Sequence, residues 1–212
     1  PDTPWIDAHS HIWSTDLKKY PLRNNQTVEA LAPRSFTDEE LLALAMPQGV
    51  GRVVLIQHYP HHGYDNSYLI DTWRKHQDRF RIVGQIDSDR PDVAKTMRDM
   101  LKTGVTGFRI GPQSKDDDWL AGEGMKTMWK TAAETRQSIC GLINPWDIAE
   151  TSEWCAKYPD TPVVIDHFAR IGADGTIRDE DVQNRCGPAK HKPVRGKRSA
   201  YYPLGKKQPP YR

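Results

Sequence analysis

The sequence predicts an α/β fold of the (β/α)8 TIM-barrel type, incomplete, with about seven strands present. Three observations carry that reading. Short β-rich runs alternate with amphipathic stretches six times before residue 181, the signature of βα units on a mostly parallel sheet. The first strand ends in His-Ser-His-Ile-Trp, where an open dinucleotide-binding sheet would place a glycine-rich phosphate turn. Several strand exits carry polar residues, as barrel active sites do at the C-terminal ends of their strands.

The predicted strands are Trp5–His11, Arg52–Gln57, Arg81–Asp87, Val105–Ile110, Ser138–Ile143 and Pro162–His167. Thr37-Asp38-Glu39-Glu40 opens the first helix, with Thr37 as N-cap and Glu40 three residues on in a capping box ahead of LLALA. Four more helices are predicted over Asn66–Lys75, Val93–Thr103, Met125–Arg136 and Ile148–Lys157. After Gln183 the texture changes. Five prolines and three glycines interrupt any period, so weak order is expected, and a seventh strand over Val194–Tyr202 is poor because Gly196 lies inside it. The predicted organisation is a barrel body over residues 1–181, followed by a basic, Pro/Gly-rich remnant of the seventh strand over 182–212.

The formal net charge of +2 hides an asymmetry. All 28 acidic residues fall within 1–181 against 21 Lys and Arg, whereas 182–212 carry nine Lys and Arg and no acid. Such a tail can meet a polyanion, but it lacks interleaved aromatics or a nucleic-acid module, so nucleic acid is not the expected partner. No run approaches the roughly 18 apolar residues of a membrane span, and the N-terminus does not read as a signal peptide. Three cysteines, none in a C-x-x-C pair, argue against a disulfide framework and for a cytoplasmic setting.

Four constellations can carry chemistry. In Asp7-Ala8-His9-Ser10-His11 strand alternation puts Asp7, His9 and His11 on one face, with two imidazoles about 7 Å apart that can converge on one divalent ion. Val163-Val164-Ile165-Asp166-His167 is a buried strand with His167 at its exit, and Asp166 is expected to point away as a structural partner. Arg109, flanked by glycines, suits a carboxylate or carbonyl, with a surface ion pair as an equal alternative. Asn144 ends the next strand and can bind a substrate oxygen. His58, in the Gln57–His62 loop, sits at the substrate end of the barrel, although an exposed polar loop is the plainer expectation. Trp129, Trp146 and Trp154 read as core or pocket wall.

These residues carry a resemblance. IDAHSHIW with YPL beyond it, VLIQ followed by YDNSYLID, GVTGFRIGP and PVVIDHFARIG resemble, in order, blocks of the amidohydrolase-related family, the branch often called amidohydrolase 2, over about residues 4–175. AKHKPVRGKRSAYYPLGKKQPPY looks like that family's seventh strand and following loop, departing from it at Pro193 and Gly196-Lys197. The resemblance implies a hydrolase acting on a lactone or related carboxylate-bearing compound. His9, His11 and His167 would be metal ligands or direct carbonyl polarisers, and Arg109 would anchor a substrate carboxylate. Asn144, His58 and Trp146 would contact substrate. Zinc is the metal expected, although members of the family differ in needing one. The family's general base, an aspartate at the exit of an eighth strand, is expected beyond Arg212.

Two other readings compete. One is a metal-dependent decarboxylase of the same superfamily, which would release carbon dioxide. The other is a non-catalytic barrel whose basic tail binds polyanions with salt-sensitive affinity. An open barrel also exposes sheet edges, so poor solubility or homo-oligomerisation is expected.

Overall fold

The computed structural model describes residues 4–115 and 117–199. It has two compact units, Pro1–Arg109 and Ile110–Arg212. Among the described residues seven strands stand in chain order in a parallel sheet, the α/β arrangement of an incomplete (β/α)8 barrel.

In the first unit, β1 (Trp5–Ser10), β2 (Val50–Ile56), β3 (Phe80–Gly84) and β4 (Val105–Ile110) pair in parallel, in that order. The inner strand β2 holds a continuous apolar run, VVLI, and β3 is apolar apart from the exposed Arg81, because a parallel sheet is covered on both faces. Leu55, Phe80, Ile82, Val105 and Phe108 are fully buried. Strand β1 is different: Trp5 is 70% and Ile6 52% exposed. Its register against β2 shifts between Asp7 and Ser10, so the clean alternation predicted through His11 fails at that point.

The helices of this unit are α1 (Asp38–Ala45), the single turn α2 (Tyr59–His62), α3 (Ser67–Lys75) and α4 (Val93–Leu101). The predicted capping box of α1 forms: the Thr37 hydroxyl accepts the Glu40 N–H, and the Glu40 carboxylate accepts the Thr37 N–H. Asn66 precedes α3 without capping it. Its amide instead accepts the Gln85 N–H and donates to the Gln85 carbonyl, at 2.9 and 2.8 Å, tying the loop before α3 to the end of β3. Gly104 has φ +82°, and the Trp73 indole fills the space a Cβ would need.

In the second unit, β5 (Ser138–Gly141), β6 (Val163–Ile165) and β7 (Val194–Gly196) pair in parallel. Its helices are α5 (Glu123–Thr135), α6 (Ile148–Lys157), α7 (Asp179–Asn184) and α8 (Cys186–Ala189). Trp129 is fully buried against Trp154 and Tyr158. Trp146 does not join them, being 56% exposed under the Lys115 ammonium.

The stretch after Gln183 is more regular than its composition predicts. Strand β7 forms because its backbone bonds are made regardless of side chain: Val163 donates to the Pro193 carbonyl and Lys197 to the Ile165 carbonyl. The strand ends at Gly196, and the predicted continuation over 200–202 lies outside the described residues.

Candidate active site

In the first unit the exit of β1 folds back on itself. The Asp7 carboxylate accepts the His9 N–H at 2.9 Å and the Ser10 hydroxyl at 2.6 Å. Asp7 and Ser10, placed on opposite faces by simple alternation, are therefore hydrogen-bonded neighbours. The turn that joins them leaves the two imidazoles side by side, with ring centroids 5.0 Å apart.

The partners of each ring fix its protonation. His11 Nδ1 lies 2.8 Å from the Ile56 carbonyl, which can only accept, so Nδ1 carries a proton. A guanidinium nitrogen of Arg109 lies 3.1 Å from His9 Nε2, and a guanidinium can only donate, so His9 Nε2 presents a lone pair. The Nε2 atoms of His9 and His11 are 3.3 Å apart. With both rings neutral, each presents a lone pair to the other. A cation held by both nitrogens would reconcile that contact.

The separation itself tests a metal. Two nitrogens each about 2.0–2.1 Å from a tetrahedral zinc lie about 3.3–3.4 Å apart, which matches this pair. The Ile56 carbonyl supplies the outer partner that orients a ligating histidine. These residues therefore fit a divalent ion, on the condition that Arg109 yields the His9 lone pair to it.

Behind this pair sits a second imidazole group. The His58 ring lies 4.9 Å from that of His11 and 4.1 Å from that of His61, and Trp13 packs against both His58 and His61. The loop is not the exposed segment the sequence suggests, since His61 and His62 are buried. Gln57 holds it closed from inside, donating to the carbonyls of Gly63 and Asp65. His62 Nδ1 donates to the carbonyl of Pro21. Burial, then the neighbouring His11, His61, His62 and Arg109, push the His58 pKa down to about 3. Burial also lowers those of His61 and His62. These rings stay neutral at ordinary pH.

In the second unit, β6 exits into a left-handed turn: His167, Phe168, Ala169 and Arg170 all have φ between 50° and 55°. Two main-chain bonds brace it, from Phe168 N–H to the Lys197 carbonyl and from Lys197 N–H to the Ile165 carbonyl. His167 Nδ1 lies 2.9 Å from the Ser199 hydroxyl. Asp166 is fully buried and ion-paired with Lys197 at 2.8 Å, the structural role expected of it. The turn breaks strand alternation, however, so ligand atoms of Asp166 and His167 come within 4.8 Å of each other. Asn144 caps a short 3-10 turn with Asp147 and accepts from Arg170 at 3.2 Å.

Sequence reasoning picked out His9, His11, His58 and Arg109, and the fold brings these four together in one unit. It missed Arg170 and Ser199, each joined to a predicted site residue. Arg170 carried a local signal as a cation three positions beyond His167; Ser199 is distant in sequence and carried none.

The family model described as amidohydrolase matches residues 6–212. This chain belongs to the amidohydrolase family. Among curated proteins, this amidohydrolase is 28% identical over 171 residues to the L-fucono-1,5-lactonase of Burkholderia ambifaria, a match covering 78% of this chain and 57% of the relative. It is 27% identical over 185 residues to the 4-sulfomuconolactone hydrolase of Rhizobium radiobacter, covering 81% and 54%. The chain thus spans just over half the length of these two relatives. Among solved structures it is similar to a probable 2-pyrone-4,6-dicarboxylic acid hydrolase from Acinetobacter baumannii, at TM-score 0.80 and 19% identity, over 97% of this chain and 73% of that one. A zinc-bound amidohydrolase from Burkholderia multivorans matches at TM-score 0.76 and 18% identity, over 96% and 72%. These structural likenesses bear on the fold.

Proposed function

We propose that this amidohydrolase acts on a lactone or related cyclic, carboxylate-bearing small molecule, with the His9–His11 pair as its carbonyl-polarising centre. The observation that carries the reading is the 3.3 Å approach of the two Nε2 atoms, with the ring protons directed elsewhere by Ile56 and Arg109. The curated relatives, both named for lactones, support the substrate class.

Opening a lactone requires its carbonyl oxygen to be polarised and a water to be activated beside it. His9 and His11 would hold a divalent ion, zinc first, and the family resemblance adds His167 as a third ligand. When bound, that ion supplies a Lewis acid for the carbonyl. Arg109 is the substrate anchor: drawn off His9, its guanidinium can pair with a carboxylate through two parallel N–H bonds. His58, held neutral, is suited to hydrogen-bond a substrate oxygen without adding charge. Asn144 and the exposed Trp146 complete the proposed contacts. The same reading holds the protein to be cytoplasmic and allows a homo-oligomer. Among the described residues no helix is long and apolar enough to cross a membrane.

The test is to supply the purified chain with a sugar 1,5-lactone, a muconolactone and a hydroxybenzoate. Proton release and carbon dioxide are followed separately, and zinc binding by calorimetry. Ring opening that falls at least a hundredfold in His9→Asn and His11→Asn, with zinc affinity falling in parallel, is the expected result. Carbon dioxide from the hydroxybenzoate without lactone opening would assign the chain to the decarboxylases instead.

A further inference from the structure

Away from the histidine cluster, the second unit holds two arginines that no carboxylate neutralises among the described residues. Arg185, at the junction of α7 and α8, places its guanidinium carbon 4.0 Å from the centre of the Phe168 ring. Arg198 lies over the same ring at 5.9 Å. Neither makes an ion pair among the described residues, whereas nearby Arg178 is engaged by both Asp174 and Asp181. The Nε of Arg185 is buried without a hydrogen-bond partner. Residues 182–212 contain no Asp or Glu, so this stretch has no acid of its own to offer.

The arrangement is built rather than incidental. A Cβ on Gly196 would overlap the guanidinium of Arg185, so the glycine in β7 is what lets that cation cross the strand. Phe168 belongs to the left-handed turn, and its N–H is fixed on the Lys197 carbonyl at 2.9 Å. The ring is thus anchored to the exit of β7, next to the contact between His167 and Ser199. Two guanidiniums within 6 Å of one aromatic ring each gain from it but repel each other. Burial and then Arg198 weaken the hold of Arg185 on its proton. An incoming anion relieves the repulsion, and the planar guanidinium matches a carboxylate through paired bonds.

We propose that Arg185 and Arg198, stacked on Phe168 and admitted by Gly196, form a recognition site for the carboxylate of a small organic anion. If the lactone function proposed above holds, the site selects carboxylate-bearing over neutral lactones and Arg185 is a specificity-determining residue.

The experiment is calorimetric titration of the whole chain with succinate and with its neutral diamide at fixed ionic strength. Succinate binds and the diamide does not. Arg185→Gln weakens succinate at least tenfold. Arg185→Lys, which keeps the charge but loses the planar fork, weakens it about fivefold. Gly196→Ala, which changes no charge, weakens it tenfold by displacing the guanidinium. Lys192→Gln removes the same charge as Arg185→Gln from an exposed position and changes affinity less than twofold. Circular dichroism checks that each variant is folded, and if Gly196→Ala is not, the comparison of Arg185→Gln with Lys192→Gln still decides. Equal binding of diamide and succinate, or equal losses in those two variants, overturns the proposal. Because binding is read without turnover, failure to open any lactone leaves this result standing. Lactone opening without succinate binding ends this proposal alone.

Discussion

The guanidinium of Arg109 donates to His9 Nε2 across 3.1 Å, and so occupies the lone pair that a metal would need. An imidazole nitrogen has one such pair. Arg109 and a divalent ion therefore compete for His9, with like charge adding to the opposition. Arg109→Met is predicted to raise zinc affinity at least threefold, measured by competition with a chromogenic chelator, while lowering activity on an anionic lactone. Unchanged or weaker zinc binding in this variant would refute the competition.

The imidazole group around His58 sets an acid limit on stability. In the unfolded chain these rings titrate near about 6.5. In the folded chain His58 does so at about 3, and His61 and His62 are also lowered. Between those limits the unfolded state binds protons that the folded state refuses, so stability is full above about pH 6.5 and falls as the pH drops below it. His58 alone sets a slope of up to about 1.4 kcal/mol per pH unit. Urea unfolding at pH 7.5, 6.5 and 5.5 is expected to show the loss, with a shallower slope in His58→Gln. A flat profile in the native protein would contradict the cause given.

Gln57 is predicted to matter for stability although it touches none of the chemistry. Its amide satisfies the Gly63 and Asp65 carbonyls from inside the loop that carries His58, His61 and His62. Gln57→Leu strands the buried Gly63 carbonyl, at a cost of about 1–3 kcal/mol, and removes the donor to the part-buried Asp65 carbonyl. The urea midpoint should fall accordingly. Histidine ring resonances of the loop should broaden or shift in the same variant.

Gly104→Ala is expected to be among the most damaging small substitutions in the first unit. It forces a side chain into left-handed backbone, at roughly 1–2 kcal/mol, and drives its methyl into the Trp73 indole. A Tm within a degree of the native value would show that the Trp73 contact is dispensable.

What could be read from the sequence was what is local. The Thr37–Glu40 capping box lies within four residues, and helix α6 runs over the predicted Ile148–Lys157. The exit of β1 misled because side-chain bonds from Asp7 to Ser10 and to the His9 N–H override strand alternation. Burial of His61 and His62 could not be read, because their cover comes from Trp13 and Pro21, some forty residues earlier. Gly196 looked like a strand breaker for the same reason. In the fold the space its Cβ would need is taken by the guanidinium of Arg185, a neighbour in space rather than in sequence.

The left-handed turn after β6 has a consequence for how this protein can change. All four of its residues carry a Cβ, and each pays roughly 1–2 kcal/mol for its conformation. Ala169, fully buried in that turn, is the position where glycine would release the tension most directly. Such a replacement should yield a sturdier protein whose His167 ring is held less firmly. Selection for heat resistance alone would then be drawn toward variants that trade away the aim of that imidazole.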